Sequence, residues 1–251
     1  MGVFQFKRFS VVNERSAMKV NTDGVLLGAL MTIRAEDRRL LDIGTGTGTI
    51  ALMAAQRLAD LVTDACGSHE GAPQIDAIDI DEPSASEAAI NFCNSPWKSG
   101  MKAYNLSLDH YAEILDDAVR FDLVFSNPPY FEDSLTAPDQ RKSTARHTSD
   151  GLSYRDIFDF ASRKLAEGGR LAFVLPSDQE QALCRYGRMC GLHLFRITRI
   201  RTVPRKAPSR IVAEFSRTRC EKPQEVTLSI QNEGKYTQEY LNIMKDFYLF
   251  A

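Results

Sequence analysis

An apolar run, Arg39-Leu40-Leu41-Asp42-Ile43, passes without a break into Gly44-Thr45-Gly46-Thr47-Gly48, and a helical spacing of apolar residues follows from Thr49 to Ala59. A strand that turns on glycines into a helix is the starting unit of an open parallel sheet wound with helices. Glycine adopts backbone angles closed to other residues and lets a ligand approach the main chain. The spacing is GxGxG, and Thr49 stands where the third glycine of a dinucleotide fingerprint would be. Asp42 adds a carboxylate at the head of the turn, a poor neighbour for a pyrophosphate and a good one for an ammonium group. The combination favours S-adenosylmethionine over NAD, with Asp42, Gly44 and Gly46 as cofactor-binding candidates.

The rest of the chain repeats the alternation. Apolar runs from Ile75 to Ile80, Met101 to Tyr104, Phe121 to Phe125 and Arg170 to Leu175 read as parallel strands. Helices are predicted from Pro83 to Asn94 and from Tyr154 to Ala166, the latter ended by Gly168-Gly169. After a helix from Asp178 to Met189, runs from Leu192 to Val203 and Ser209 to Phe215 are joined by a link too short for a helical crossover, so they pair antiparallel. A strand from Glu225 to Ile230 and a helix from Thr237 to Tyr248 follow. Thr63 to Gln74 reads as an exposed insertion, and the polar Glu132 to Gly151 as a lid or substrate clamp. One domain spanning 1–251 is expected, with 1–37 an extension over the cofactor and RNA side and 38–251 the core.

Two further motifs carry chemistry. Ile78-Asp79-Ile80-Asp81 ends the second strand in a carboxylate that can accept hydrogen bonds from ribose hydroxyls, which makes Asp79 a cofactor-binding candidate. Asn127-Pro128-Pro129-Tyr130 follows the strand at Phe121 to Phe125. An amide stiffened by two prolines can hold a planar amino group, and the neighbouring tyrosine can stack on the ring that carries it. Asn127, Pro128 and Tyr130 are therefore the catalytic candidates, with Asn127 also facing the cofactor.

Charge says little in bulk, at a net −2, and more in its distribution. Arg199, Arg201, Arg205, Lys206, Arg210, Arg217 and Arg219 crowd one stretch, and smaller clusters lie at Lys7-Arg8 and at Arg141, Lys142, Arg146 and His147. A basic face on a near-neutral chain suits a polyanion that must bind and leave. Five cysteines without CxxC spacing read as reduced thiols, no His/Cys cluster has metal-ligand spacing, and neither a signal peptide nor a membrane span is evident. A cytoplasmic, metal-free, monomeric protein without membrane attachment is expected.

The motifs together resemble the class I S-adenosylmethionine-dependent amino-methyltransferases. Phe6-Lys7-Arg8-Phe9, the segment Met18-Lys19-Val20-Asn21-Thr22-Asp23-Gly24-Val25-Leu26-Leu27-Gly28, and Arg146-His147 are similar to the bacterial tRNA1(Val) adenine-N6 methyltransferase family. That resemblance implies a Rossmann-like α/β fold: a mostly parallel seven-stranded sheet with an antiparallel strand at one edge, plus a short N-terminal extension. It also implies a tRNA substrate, methylated on the adenosine 3′ of the anticodon, and RNA contacts from Lys7, Arg8, Arg146 and His147. Asp23 and Gly24 are expected over the cofactor. Where related enzymes contact the cofactor adenine through an acid after the third strand, this chain has Ser107, with Asp109 two residues later. Glutamine-N5 methylation of a release factor, guanine-N2 methylation of rRNA and a catalytically inactive RNA-binding module stand as alternatives.

Overall fold

The alternating segments resolve into one open sheet with helices on both faces in the computed structural model, which describes residues 2–64, 73–129 and 151–251. A hairpin of β1 (Val3–Gln5) and β2 (Ser10–Val12) leads through a strap to α1 (Thr22–Leu30). The wound units follow: β3 (Arg39–Ile43), α2 (Thr49–Asp64), β4 (Gln74–Asp79), α3 (Glu82–Cys93), β5 (Met101–Asn105), α4 (Leu108–Ile114), β6 (Phe121–Ser126) and α5 (Tyr154–Lys164). Then come β7 (Leu165–Pro176), α6 (Glu180–Met189), β8 (His193–Arg201), β9 (Arg210–Ser216), β10 (Gln224–Ser229), a small hairpin of β11 (Gln231–Asn232) and β12 (Lys235–Tyr236), and α7 (Gln238–Met244).

The main sheet runs β10-β8-β9-β7-β6-β3-β4-β5. All its pairings are parallel except the two that β9 makes, with β7 and β8. The expected class holds, with two corrections. The sheet has eight strands rather than seven, because β10 joins parallel to β8. The antiparallel strand, β9, lies between β7 and β8 and is enclosed, not at the edge. A second correction concerns Gly168-Gly169. The helix stops earlier, where the Leu165 N–H bonds Ala161 O, and Leu165 already pairs with Phe121. The glycines lie inside β7 at a register shift opposite Phe121 and Leu123, and a Cβ on Gly169 would meet Phe121 O at 2.8 Å. The close approach of two backbones requires that glycine.

Two cores fill the faces. Leu40, Leu123, Phe125, Ala172 and Val174 point toward α1, α2, α3 and α7; Leu41, Ile43, Val124, Leu171 and Phe173 point toward α4, α5 and α6. This period-two division is what winding on both sides demands. Chain order reverses between β3 and β6, so the crevice beyond their carboxyl ends is a topological switch point, the usual ligand position in open α/β sheets.

Candidate functional site

Adjacent parallel strands bring the two main motifs together. Ile43 pairs with Ser126, and the Ser126 hydroxyl donates to Ile43 O at 2.6 Å. The next residues, Gly44 and Asn127, leave the sheet side by side. They line one cleft together with Met18, Asn21, Gly24, Thr45, Gly46, Thr47, Thr49 and Ile50. Asn127 and Pro128 are buried and Pro129 is exposed.

The glycine turn is built as its sequence requires. Gly44, Gly46 and Gly48 have φ of 71°, 57° and 79°, and a Cβ on Gly48 would stand 2.5 Å from the Phe92 ring of α3. The turn is tied down by its neighbours: Gly44 and Thr45 N–H groups donate to Ile78 O, and Gly46 N–H donates to Asp79 Oδ2 at 2.8 Å. Asp79 also accepts the Asp81 N–H through Oδ1 at 2.9 Å. Burial raises its carboxyl above the ordinary aspartate value against these two bonds.

Asp42 lies beneath the turn, fully buried. The Thr45 hydroxyl donates to its Oδ2 at 2.8 Å, while Oδ1 is buried with no partner at full hydrogen-bond geometry among the described residues, the Ala51 N–H of α2 acting on the carboxyl only weakly. Burial, reinforced by the charge of Asp79, pushes its carboxyl up to about 7. A buried carboxylate short of a donor, under three glycines in the left-handed region, fits a cationic ligand whose main body lies against the turn.

The cleft is covered by the strap that precedes α1. Glu87 of α3 is buried and accepts the backbone N–H groups of Glu14, Arg15 and Ser16 at 2.8, 2.9 and 3.0 Å. Burial alone would raise its carboxyl; the three donors outweigh it and hold it below the ordinary glutamate value. Asn91, one helical turn on, exchanges bonds with the Val12 backbone and donates to Thr47 O at 2.9 Å, joining hairpin, helix and glycine turn. Asn13 Oδ1 accepts Val20 N–H, and Asn21 caps α1 by accepting Gly24 N–H. The result places Met18 Sδ 3.6 Å from Asn127 Nδ2.

Of the sequence-predicted residues, Asp42, Gly44, Gly46, Asp79 and Asn127 are thus brought into one network, with Pro128 next in chain. Gly24 lines the cleft, but Asp23 does not: its carboxylate accepts Arg210 Nε at 2.8 Å, across to β9. Ser107 stands at the carboxyl end of β5, one strand beyond Asp79, and its hydroxyl accepts the His110 N–H as the cap of α4. Lys7 and Arg8 are elsewhere. Lys7 Nζ donates to Lys245 O and Ala251 O, and Arg8 pairs with Asp60 near the end of α2 distant from the glycine turn. Tyr130, Arg146 and His147 lie outside the described residues, as does the lid read at Glu132 to Gly151 except for Gly151 itself. The anchors of the strap, Glu87 and Asn91, were not foreseen.

Comparison with known proteins gives the family and the fold class. The methyltransferase small domain family matches residues 16–184. A tRNA1(Val) (adenine(37)-N6)-methyltransferase of Parabacteroides distasonis is 40% identical over 98% of this chain and 97% of its own. One of Flavobacterium psychrophilum is 35% identical over 98% and 99%. Among solved structures, a predicted O-methyltransferase from Agrobacterium tumefaciens has a TM-score of 0.60 at 18% identity, covering 90% of this chain and 96% of that one. A T. thermophilus 16S rRNA guanine-N2 methyltransferase, solved with AdoMet and guanosine, has a TM-score of 0.53 at 18% identity, covering 85% and 49%. Fold and glycine turn define a class I methyltransferase. Within that class the chain belongs to the family of the tRNA1(Val) (adenine(37)-N6)-methyltransferases.

Proposed function

We propose that this enzyme methylates N6 of the adenosine immediately 3′ of the anticodon in tRNA1(Val), using S-adenosylmethionine. The observation that carries the reading is the adjacency of Asn127 and Gly44 at the ends of neighbouring strands, in a single cleft. S-adenosylmethionine supplies an electrophilic methyl group on a sulfonium. Asp42, fully buried with one oxygen short of a donor, fits the cationic end of that molecule through the glycine turn. Asp79, beside Gly46, is assigned the ribose hydroxyls. Ser107 accepts a hydrogen bond as a cap, which leaves its own O–H to donate to the cofactor adenine.

The adenine N6 lone pair is delocalised into the ring and is a weak nucleophile. The Asn127 side-chain oxygen and the Pro128 carbonyl are assigned the two N6 hydrogens. These bonds strengthen as nitrogen pyramidalises and gains positive charge, so they stabilise the transition state more than the bound base. Neither acceptor has to ionise. Tyr130 is assigned to stack on the base once it leaves its neighbours, and Lys7, Arg8, Arg146 and His147 to contact the RNA. Incubation with unmodified tRNA and labelled cofactor, followed by nucleoside mass spectrometry, tests the reading. N6-methyladenosine at the position 3′ of the anticodon is the expected product; label on guanine or on protein, or none, overturns it.

A further inference from the structure

The basic stretch between residues 199 and 219 is continuous in sequence, but the fold divides it. β8 rises to the carboxyl edge of the sheet and β9 descends from it. Arg217 and Arg219 therefore fall at the opposite edge, where Arg217 donates to Ser162 O. Near the carboxyl edge, Arg199 is held by Glu180 and Glu225, and Arg210 by Asp23. Arg201, the last residue of β8, is half-buried and donates to the Ser229 hydroxyl at 2.8 Å, which leaves the turn between the strands. Arg205 and Lys206 are exposed at its tip and take no ion-pair partner among the described residues.

That turn is not a loose loop. Pro204 and Pro208 stiffen it, Lys206 N–H donates to Val203 O at 3.0 Å, and Ser209 N–H donates to Ile200 O at 2.9 Å. Ser177, directly after β7, donates to Pro208 O through its hydroxyl at 2.6 Å and to Ser209 O through its N–H at 3.2 Å. β7 is the neighbour of β6, the strand that delivers Asn127. Cations at the tip thus stand two to three strand spacings from the acceptor amide, roughly 10–15 Å along the same edge. A stiff arm carrying two unpaired cations loses little side-chain or backbone freedom beyond its own tips on meeting a polyanion.

We infer that the β8–β9 turn is an RNA-docking arm, with Arg205 and Lys206 gripping backbone phosphates a few nucleotides from the adenosine that enters the cleft. The inference rests on the tRNA reading above and adds to it a surface that the resemblance did not indicate. Phosphate contacts of this kind set position and affinity without reading sequence.

The test is tRNA binding across a salt series, with methyl transfer measured on the same preparations, for wild type, the charge reversal Arg205→Glu/Lys206→Glu and the milder Arg205→Gln/Lys206→Gln. Loss of two phosphate contacts lowers the magnitude of the log–log salt slope by about 1.4–1.8. The tRNA KM rises at least ~10-fold for the reversal and less for the neutral pair, while cofactor affinity by calorimetry is unmoved. Arg219→Glu, at the other edge, leaves the slope unchanged. Wild-type enzyme that methylates tRNA, with both double variants matching its KM and slope, overturns the arm alone. An Arg219→Glu effect as large as the double reversal also overturns it, since diffuse charge would then suffice. Wild-type enzyme that neither binds nor methylates tRNA overturns the function and the arm together.

Discussion

Met18 Sδ lies 3.6 Å from Asn127 Nδ2, so the strap in front of α1 touches the side chain assigned to the substrate amino group. A thioether can only accept, which fixes the amide nitrogen on the Met18 side and turns its oxygen elsewhere. Met18 is thereby a positioning residue for Asn127. Met18→Leu keeps the volume and removes the acceptor. We expect kcat to fall about 3–10-fold, the worth of one weak hydrogen bond, with cofactor affinity and unfolding midpoint close to wild type. Met18→Leu with unchanged kcat would show that Asn127 is oriented without the sulfur.

Asn127→Ala asks for more. If the amide oxygen acts on charge that develops at N6, its removal costs ~100–1,000-fold in kcat, as for other preorganised electrostatic partners. Cofactor dissociation, followed by calorimetry, stays within about 3-fold, because the glycine turn and Asp79 remain in place. Parallel losses in both quantities would make the residue a support for the turn.

For Asp42 the expected effects on stability and binding have opposite signs. Its folded carboxyl is raised from the ordinary 3.8 to about 7 by burial, so folding is favoured by the protonated form. Relative to lower pH, stability is lost as pH rises through the folded value, and the cost is complete above it. A cationic ligand favours the ionised form, so cofactor affinity increases over the same interval. Asp42→Asn should therefore raise the melting temperature of cofactor-free protein at about pH 8, keep only about a third of that advantage near pH 5, since the loss runs from the ordinary 3.8 up to about 7, and weaken cofactor binding ~10–100-fold at the higher pH. Thermal scans at both pH values and a calorimetric titration decide it.

How far the chain could be read beforehand follows from where each signal is stored. β3 was legible to the residue because its apolar run stops at a glycine that needs positive φ. The β8–β9 pairing was legible because the link between them is short. α1 was not: Val25, Leu26, Leu27, Gly28 and Leu30 are all buried, so no polar stripe marks a helix. The division of the basic stretch was equally hidden, since adjacent cations separate only once β8 and β9 run in opposite directions. Glu87 looks like an ordinary helical acid, and its three donors come from residues 71 to 73 positions earlier. The cofactor side of the site was written in local motifs; the strap over it is anchored through long-range contacts.

Glu87→Ala tests that strap. The substitution leaves three backbone N–H groups without their acceptor: Glu14 and Arg15 are exposed, while Ser16 is buried and its unpaired N–H costs about 1–3 kcal/mol unless the strap lifts into water. We expect the strap to lift, since exposure is the cheaper outcome. Limited proteolysis should then cut between residues 13 and 21 where wild type is resistant, and cofactor KM should rise more than kcat falls. Glu87→Gln, which keeps one acceptor oxygen, should fall between the two.

Asp79 separates binding from architecture, because its two oxygens already serve the backbone. Oδ2 holds Gly46 N–H at 2.8 Å and Oδ1 holds Asp81 N–H at 2.9 Å, so the side chain braces the glycine turn before any ligand arrives. Each carboxylate oxygen retains a second lone pair for a ribose hydroxyl. Asp79→Ala removes both functions, and cofactor affinity should drop ~100-fold or more, with a lower melting temperature. Asp79→Asn keeps one acceptor for Gly46 and loses the charge. The turn stays braced at Gly46, but the amide NH2 now faces the Asp81 N–H, so the melting temperature falls, though less than for Ala, while affinity falls ~10-fold from the weaker ribose bonds. An Asn variant with wild-type affinity would leave Asp79 as a brace alone and move the ribose contact to another acceptor on the same edge.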